Sequence, residues 1–321
     1  MARRSYGRLP PLPKPYDFVD ISPLERDDRR HPAGHDRYYP DTLSGRLTGQ
    51  LTALSPVHVA SGLLEMTGRR DVPLVKAHVR SAGRPVIPGS SFKGAIRSIV
   101  EAISRSCVRV TRVRRNQLPR DADGCRNPRR LCVACRMFGS LGFQGNVRFS
   151  DAVLREGFET EVVSIPALYA PRSREQLYYR EGKAKGRKFY QHGELARGDG
   201  PVEVCPIGSI FDFTLHFENL TEGELGLLLV ALGQGDPALT PKLGGGKPVC
   251  AGSVRVTVGE VAVVETGAEA YMAYDLPPAT PAERLGAFVR AAEDLVVGRQ
   301  LQQLAEILRM DEARECPDRN Y

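Results

Sequence analysis

This 321-residue sequence has no run of 18 apolar residues, so no transmembrane helix and no membrane partner are expected. Its opening, MARRSYGRLPPLPKP, carries charges and prolines without an apolar core, which is not the pattern of a secretory signal. A serine nucleophile elbow and an HExxH helix are both absent, so neither serine-hydrolase nor zincin chemistry is indicated. The phosphate-loop pattern GxxxxGK[ST] is missing as well. Cysteine numbers seven, an odd count, and three of the seven are closely spaced. A cytoplasmic protein with a metal site accounts for this better than a disulfide scaffold.

Acidic residues are scarce where it matters. Lysine and arginine total 45 against 38 acidic residues, for a net charge of +7, but the excess is concentrated. From Arg105 to Arg130 nine arginines meet two aspartates, Asp121 and Asp123. A solvated face normally mixes signs, so this run points to a polyanionic partner. A second cluster comprises Arg172, Arg174, Arg180, Lys183, Lys185, Arg187 and Lys188, interleaved with Tyr169, Tyr178, Tyr179, Phe189 and Tyr190. Cations can track a sugar-phosphate backbone while rings stack on unpaired bases, each stack contributing about 1–3 kcal/mol. Single-stranded RNA or DNA is the expected partner.

The chain is organised around VIPGSSFKGAIRSIVE, Val86 to Glu101. A Pro88–Gly89 turn delivers Ser90 and Ser91, either of which suits a helix cap. Phe92, Ile96, Ile99, Val100 and Ile103 fall on one helical stripe. Lys93 and Arg97 stand near the helix start, where free amides, hydroxyls and two cations would suit a phosphate. A second phosphate candidate is KLGGGK, in which Gly244, Gly245 and Gly246 could present amides and Lys242 and Lys247 add charge.

Cys125, Cys132 and Cys135 make C-x6-C-x2-C on a loop marked by Gly124 and Pro128. Three thiolates with that spacing suit a closed, structural tetrahedral zinc site that needs one more ligand. Cys107, leaving the end of the organising helix, is the first choice, with His192 and Cys205 as alternatives. For catalysis, His58 and His78 lie near Asp71 in sequence, and a carboxylate beside a bent RNA backbone could deprotonate a 2′-hydroxyl or hold a divalent ion.

The elements follow the rhythm strand, helix, strand, then strand, helix, strand. GSIFDFTLHFE alternates cleanly, Thr221 and Glu224 form a capping box before a Leu-rich helix, and GSVRVTV alternates again. An α+β fold with a ferredoxin-like sheet is expected. Residues 1–40 read as a loose extended arm, 41–265 as the main domain, and 266–321 as a helical extension with a break near Gly298. Insertions are expected at about 105–140 and 155–200.

Taken together, VIPGSSFKGAIRSIVE, the cysteine loop running into CRMFG, NVRFSDA and LGGGKPVCAGSVRV resemble the RAMP superfamily of CRISPR-associated proteins. The likeness covers roughly residues 43–260 and is strongest to the backbone subunit of type III (Csm and Cmr) interference complexes. It implies an RRM-like form of that sheet, a zinc-binding insertion and a β-hairpin thumb, the thumb placed here between about Val163 and Arg197. It also implies copies of the subunit stacked along a guide RNA with other effector subunits, pairing that guide with complementary target RNA. The family's cleaving aspartate matches Asp71, working with Mg²⁺ or another divalent ion, and a guide-contacting histidine matches His58. One departure is that Arg69 and Arg70 directly precede Asp71, where the family's loop carries few charges. They could hold the target phosphate or neutralise the carboxylate. The alternatives are a structural subunit that cuts nothing, and a guide-processing endoribonuclease using His58 or His78.

Overall fold

Alternation along Ile210–Leu220 (β16) turns Phe211, Phe213, Leu215 and Phe217 into the core and leaves Asp212 and His216 exposed. In this computed structural model, which describes residues 15–109, 111–168, 176–264, 266–272, 278–311 and 313–318, that strand is the spine of the main sheet. Leu43–Ala53 (β2) pairs with it and also with Val254–Val264 (β17), so that Leu51 lies opposite both Phe211 and Val256. Gly45 and Gly49 of β2 face Phe217 and Phe213. A Cβ on Gly49 would lie 2.7 Å from Phe213 Cζ, so glycine is what lets the large ring pack across the strand pair.

Beyond a short pair, Gly139–Ser140 (β7) and Phe143–Gln144 (β8), Val147–Phe149 (β9) and Ala152–Leu154 (β10) pair with β16, and Arg84–Ile87 (β6) and Arg80–Ser81 (β5) continue past β10. The order is β17-β2-β16-β10-β6-β5 with β9 also on β16, and these pairings are all antiparallel. A second sheet runs Glu161–Ile165 (β11), Gly200–Val204 (β15), Leu74–His78 (β4), Ala60–Met66 (β3). The fold is therefore α+β with mainly antiparallel sheets.

Gly89–Ile103 (α1) buries the stripe that the spacing predicts, with Phe92 4.9 Å from the Phe149 ring and 5.0 Å from that of Phe213. The expected serine cap is not formed. Pro88 is the cap residue, and Asp151 Oδ1, from the turn before β10, accepts from the Gly89 amide at 2.8 Å. Glu222–Leu229 (α3) opens on the Thr221–Glu224 capping box. After a short helix Gly267–Met272 (α4), Ala282–Ala291 (α5) and Gly298–Ile307 (α6) form the expected helical pair, with Phe288 of α5 packed where Gly226 of α3 leaves room. No helix among the described residues is long and apolar enough to cross a membrane.

Two further expectations change. The reading of 1–40 as loose does not hold for residues 15–40: Tyr16–Val19 (β1) pairs with Arg187–Tyr190 (β14), and Val19 and Leu24 are fully buried. A four-residue strand is too short to announce itself by periodicity. The segment 155–200 is also less irregular than its composition suggests. It enters by β11 and leaves by β15, which pair, and between them carries a small hairpin, Tyr179–Arg180 (β12) with Lys183–Ala184 (β13). Arg172, Arg174 and Tyr169 lie outside the described residues.

Candidate metal centre and nucleic-acid interface

The end of α1 and the loop after it bring four cysteines together. Cys107 follows the helix, Cys125 sits on the loop, Cys132 caps Val133–Phe138 (α2), and Cys135 lies within α2. Their sulfurs all fall within 4.8 Å of one another, and all four residues are buried. Cys107 Sγ lies 3.6 Å from both Cys132 Sγ and Cys135 Sγ. A tetrahedron with Zn–S bonds of about 2.3 Å needs sulfurs about 3.8 Å apart, so the donor set fits such an ion. Backbone amides add support: Cys107 N–H donates to Cys132 Sγ at 3.5 Å, and Cys132 N–H to Cys125 Sγ at 3.3 Å. Hydrogen bonding from Cys107 pulls the Cys125 and Cys132 thiols below the usual range. The other two candidate ligands are elsewhere. His192 bonds Ser253 Oγ and the Thr240 carbonyl, and Cys205 is a lone buried thiol pushed up to about 12 by burial. The remaining two cysteines, Cys250 and Cys316, form a disulfide with Cα atoms 6.0 Å apart, which an odd count and a spacing of 66 residues gave no means to foresee.

Asp71 occupies the tip of the β3–β4 hairpin. Thr67 shapes the tip by bonding the Val72 carbonyl and the Arg69 amide. Asp71 is exposed and takes a bidentate pair from Arg69, with Nη2–Oδ2 at 2.6 Å and Nε–Oδ1 at 3.2 Å; this holds its carboxyl below the usual range. Of the two ways the preceding arginines could act, the free chain therefore shows pairing with the carboxylate. Leu63, Leu64, Met66 and Leu74 are exposed, and because adjacent strand residues point to opposite faces, neither face of this end of the hairpin is covered.

His58 and His78 sit at the other end. Ala60 pairs with His78 and Met66 with Leu74, so the four steps along β4 put the histidines about 13 Å from the last pair of the ladder, with Asp71 in the loop beyond it. Both are buried, with rings 6.0 Å apart. His78 uses both nitrogens: Nδ1 accepts from the Val59 amide, so Nε2–H donates to the Val86 carbonyl, and burial lowers its pKa to about 4. His58 Nδ1–H donates to the Glu203 carbonyl at 2.7 Å. Glu203, not anticipated from the sequence, is the hub beneath them. Its carboxylate accepts from Arg80, from Thr160 Oγ1 at 2.6 Å and from the His78 amide at 2.8 Å. Burial alone would raise that carboxyl, but these bonds hold it at about 2.

The glycine-rich turn packs on His58. Gly245 N–H donates to the His58 carbonyl at 2.7 Å, and Gly244, at φ +75°, lies so close to that carbonyl that a Cβ has no room. Lys242 is buried on the Gln191 and Cys250 carbonyls and Ser253 Oγ, and burial lowers its pKa to about 7. Lys247 is half-buried. Contacts thus run from the turn through His58 and His78 to Val86, three residues before α1.

At the start of α1, Ser90 is exposed and Ser91 partly so, while Lys93 Nζ is turned onto the Val147 carbonyl at 2.6 Å. Arg97 bonds Glu101 and the Gly139 carbonyl. The basic-aromatic segment is likewise engaged within the chain. Lys183 Nζ donates to the Asn116 carbonyl at 2.6 Å, Lys185 lies over the Phe18 ring, and Lys188 sits among the Tyr16, Tyr178 and Tyr190 rings. Arg187 is buried on Glu101 and the Ser106 and Cys107 carbonyls.

Compared with known protein families, residues 50–255 match the RAMP superfamily. No curated protein matches the chain.

Proposed function

The chain belongs to the RAMP superfamily, whose proteins bind RNA and work in CRISPR-associated complexes, and from that premise we propose that it is the guide-RNA-binding backbone subunit of a type III, Csm- or Cmr-like effector in the cytoplasm. Its partners would be guide RNA, complementary target RNA, further copies of itself and other effector subunits. The family match over well over half of the chain is what supports an RNA-binding role in a CRISPR-associated complex. The strand order supports it. Counting β2, β9–β10, β16 and β17 as first to fourth, the sheet runs fourth, first, third, second, with α1 and α3 as the two crossovers, which is a ferredoxin-like arrangement. The four cysteines serve as a structural zinc site within the insertion after α1.

The cleaving group in this reading is Asp71. Among the described residues the four cysteines are the one group of three or more ligand side chains, so Asp71 would be a lone protein ligand, with RNA phosphate and water completing the shell of a divalent ion. Such an ion would stabilise charge on the scissile phosphate. The residues' own part is positional: the hairpin holds a carboxylate clear of the body, and Arg69 is placed to exchange its partner for a target phosphate. Ser90, Ser91, the amides of Gly244 to Gly246, Lys247 and His58 form the proposed guide-facing side.

The Arg69–Asp71 pair favours one second reading, a structural subunit that cuts nothing. Guide processing by a histidine base draws no support from His78, whose nitrogens are both engaged. The assembled complex with labelled complementary RNA separates these readings. Regularly spaced cleavage that needs Mg²⁺ and is lost in Asp71→Ala is expected. Intact RNA throughout assigns the structural role, and metal-independent cutting of the repeat RNA assigns the third.

A further inference from the structure

Three guanidinium groups lie against the cysteine loop and α2, and two of them share one carboxylate. Arg97 Nη2 lies 3.5 Å from Cys135 Sγ. Arg187 Nη2 donates to the Ser106 and Cys107 carbonyls at 2.9 and 3.0 Å, which places its charge against a ligand's own backbone. Arg29 Nη2 donates to the Asp121 and Asp123 carbonyls, on the loop that carries Cys125, while its Nε is buried with no hydrogen-bond partner. The carboxylate is Glu101, shared between Arg97 Nε at 2.8 Å on one oxygen and Arg187 Nη1 at 3.0 Å on the other. The side chains of Arg97, Arg187 and Glu101 are only 17%, 11% and 12% exposed.

Two guanidiniums and one carboxylate leave one positive charge in a buried place. An uncompensated buried cation is costly, and a small ion-pair group of this kind is kept only if something nearby balances it. Four protonated thiols balance nothing. Four thiolates around a divalent ion carry a net double negative charge, enough to offset this excess and that of Arg29.

We infer that Arg97 and Arg187, bridged by Glu101, are the outer-shell counter-charge of a tetrathiolate metal centre, and that the bound metal in turn fastens β14, and β1 paired with it, to α1. The inference rests on the reading of the cluster as a zinc site. It makes Arg97 and Arg187 positioning residues for the metal, and it links the state of the centre to the basic segment that carries β14.

The test uses the purified full chain and transfer of zinc to a chromogenic chelator. Wild type should hold about one zinc per chain. Removing an outer-shell partner typically weakens metal binding 10–100-fold, so Arg187→Met and Arg97→Met should each release zinc about ten times faster or more. Glu101→Gln removes a negative charge beside an anionic centre, so its release should be unchanged or slower. Arg180→Met, an exposed arginine of the same segment, should match wild type. A merely structural network predicts the opposite for Glu101→Gln, whose loss would then speed release as much as the arginine variants do; that result overturns the inference. So does release within twofold of wild type in both arginine variants. If one arginine variant fails to fold, the other and Glu101→Gln still decide the sign. Amide exchange at residues 187–190 should accelerate on chelation, and unchanged exchange removes the fastening. A wild-type chain without zinc sinks the metal reading itself along with this inference, whereas zinc present but indifferent to the arginines sinks this inference alone.

Discussion

Acidification from pH 7 to pH 5 should loosen the base of the Asp71 hairpin, because His78 has no room for a second proton. Its Nδ1 faces the Val59 N–H, so protonation would set donor against donor, and burial lowers its folded pKa from 6.5 to about 4. A histidine with a depressed folded pKa favours the folded state at neutral pH. That advantage declines as pH falls below about 6.5 and is gone near 4. The full shift corresponds to about 3 kcal/mol, of which about 2 kcal/mol is lost by pH 5. Carboxylates mostly titrate lower, so this window isolates the histidines. Urea unfolding of wild type and His78→Gln at both pH values gives the test. Any loss of zinc at the lower pH is common to both proteins, so the difference between them reports His78. Wild type should lose about 2 kcal/mol more than the variant over the window. Equal losses, or a wild type that gains stability on acidification, would refute the reasoning. His192, also lowered to about 4 by burial, should show a similar and separate effect.

Two further outcomes follow from packing and from the buried ion pair. Gly49→Ala should destabilise the chain by about 1–3 kcal/mol in denaturant unfolding, because its Cβ would lie 2.6 Å from the Thr257 carbonyl and 2.7 Å from Phe213 Cζ; a neutral variant would show that the strand pair has slack. Arg80→Met leaves Glu203 buried without its main partner and should cost about 3 kcal/mol. The double variant Arg80→Met with Glu203→Leu should regain part of that loss, and a double variant worse than the sum would disprove the pairing argument.

Local pattern made the scaffold legible. The stripe from Phe92 to Ile103, the alternation of Phe211 to Phe217, the Thr221–Glu224 box and the final helix pair each depend on neighbours within a few residues, which a sequence displays directly. The cysteine group was legible for the same reason, since Cys132 and Cys135 share a turn and Cys107 flanks the loop. What stayed hidden joins residues far apart. Asp151 capping α1, Glu203 beneath the histidines and β1 pairing with β14 are contacts between segments with no periodic signature. The basic-aromatic segment shows the limit of reading composition. Tyr16 and Phe18 come from one end of the chain and Tyr178, Lys185 and Lys188 from its middle, and they meet each other within the fold.

The hairpin between Ala60 and His78 has a practical corollary. A blade showing Leu63, Leu64 and Met66 to water on both sides forgoes burial worth about 25 cal/mol for every square ångström left wet, and that unspent attraction is indiscriminate. Expressed by itself, the polypeptide should be prone to clumping through this blade. Co-production with the proposed RNA and subunit partners is the sensible preparation, and swapping Leu64 and Met66 for polar residues is the route to a well-behaved lone chain.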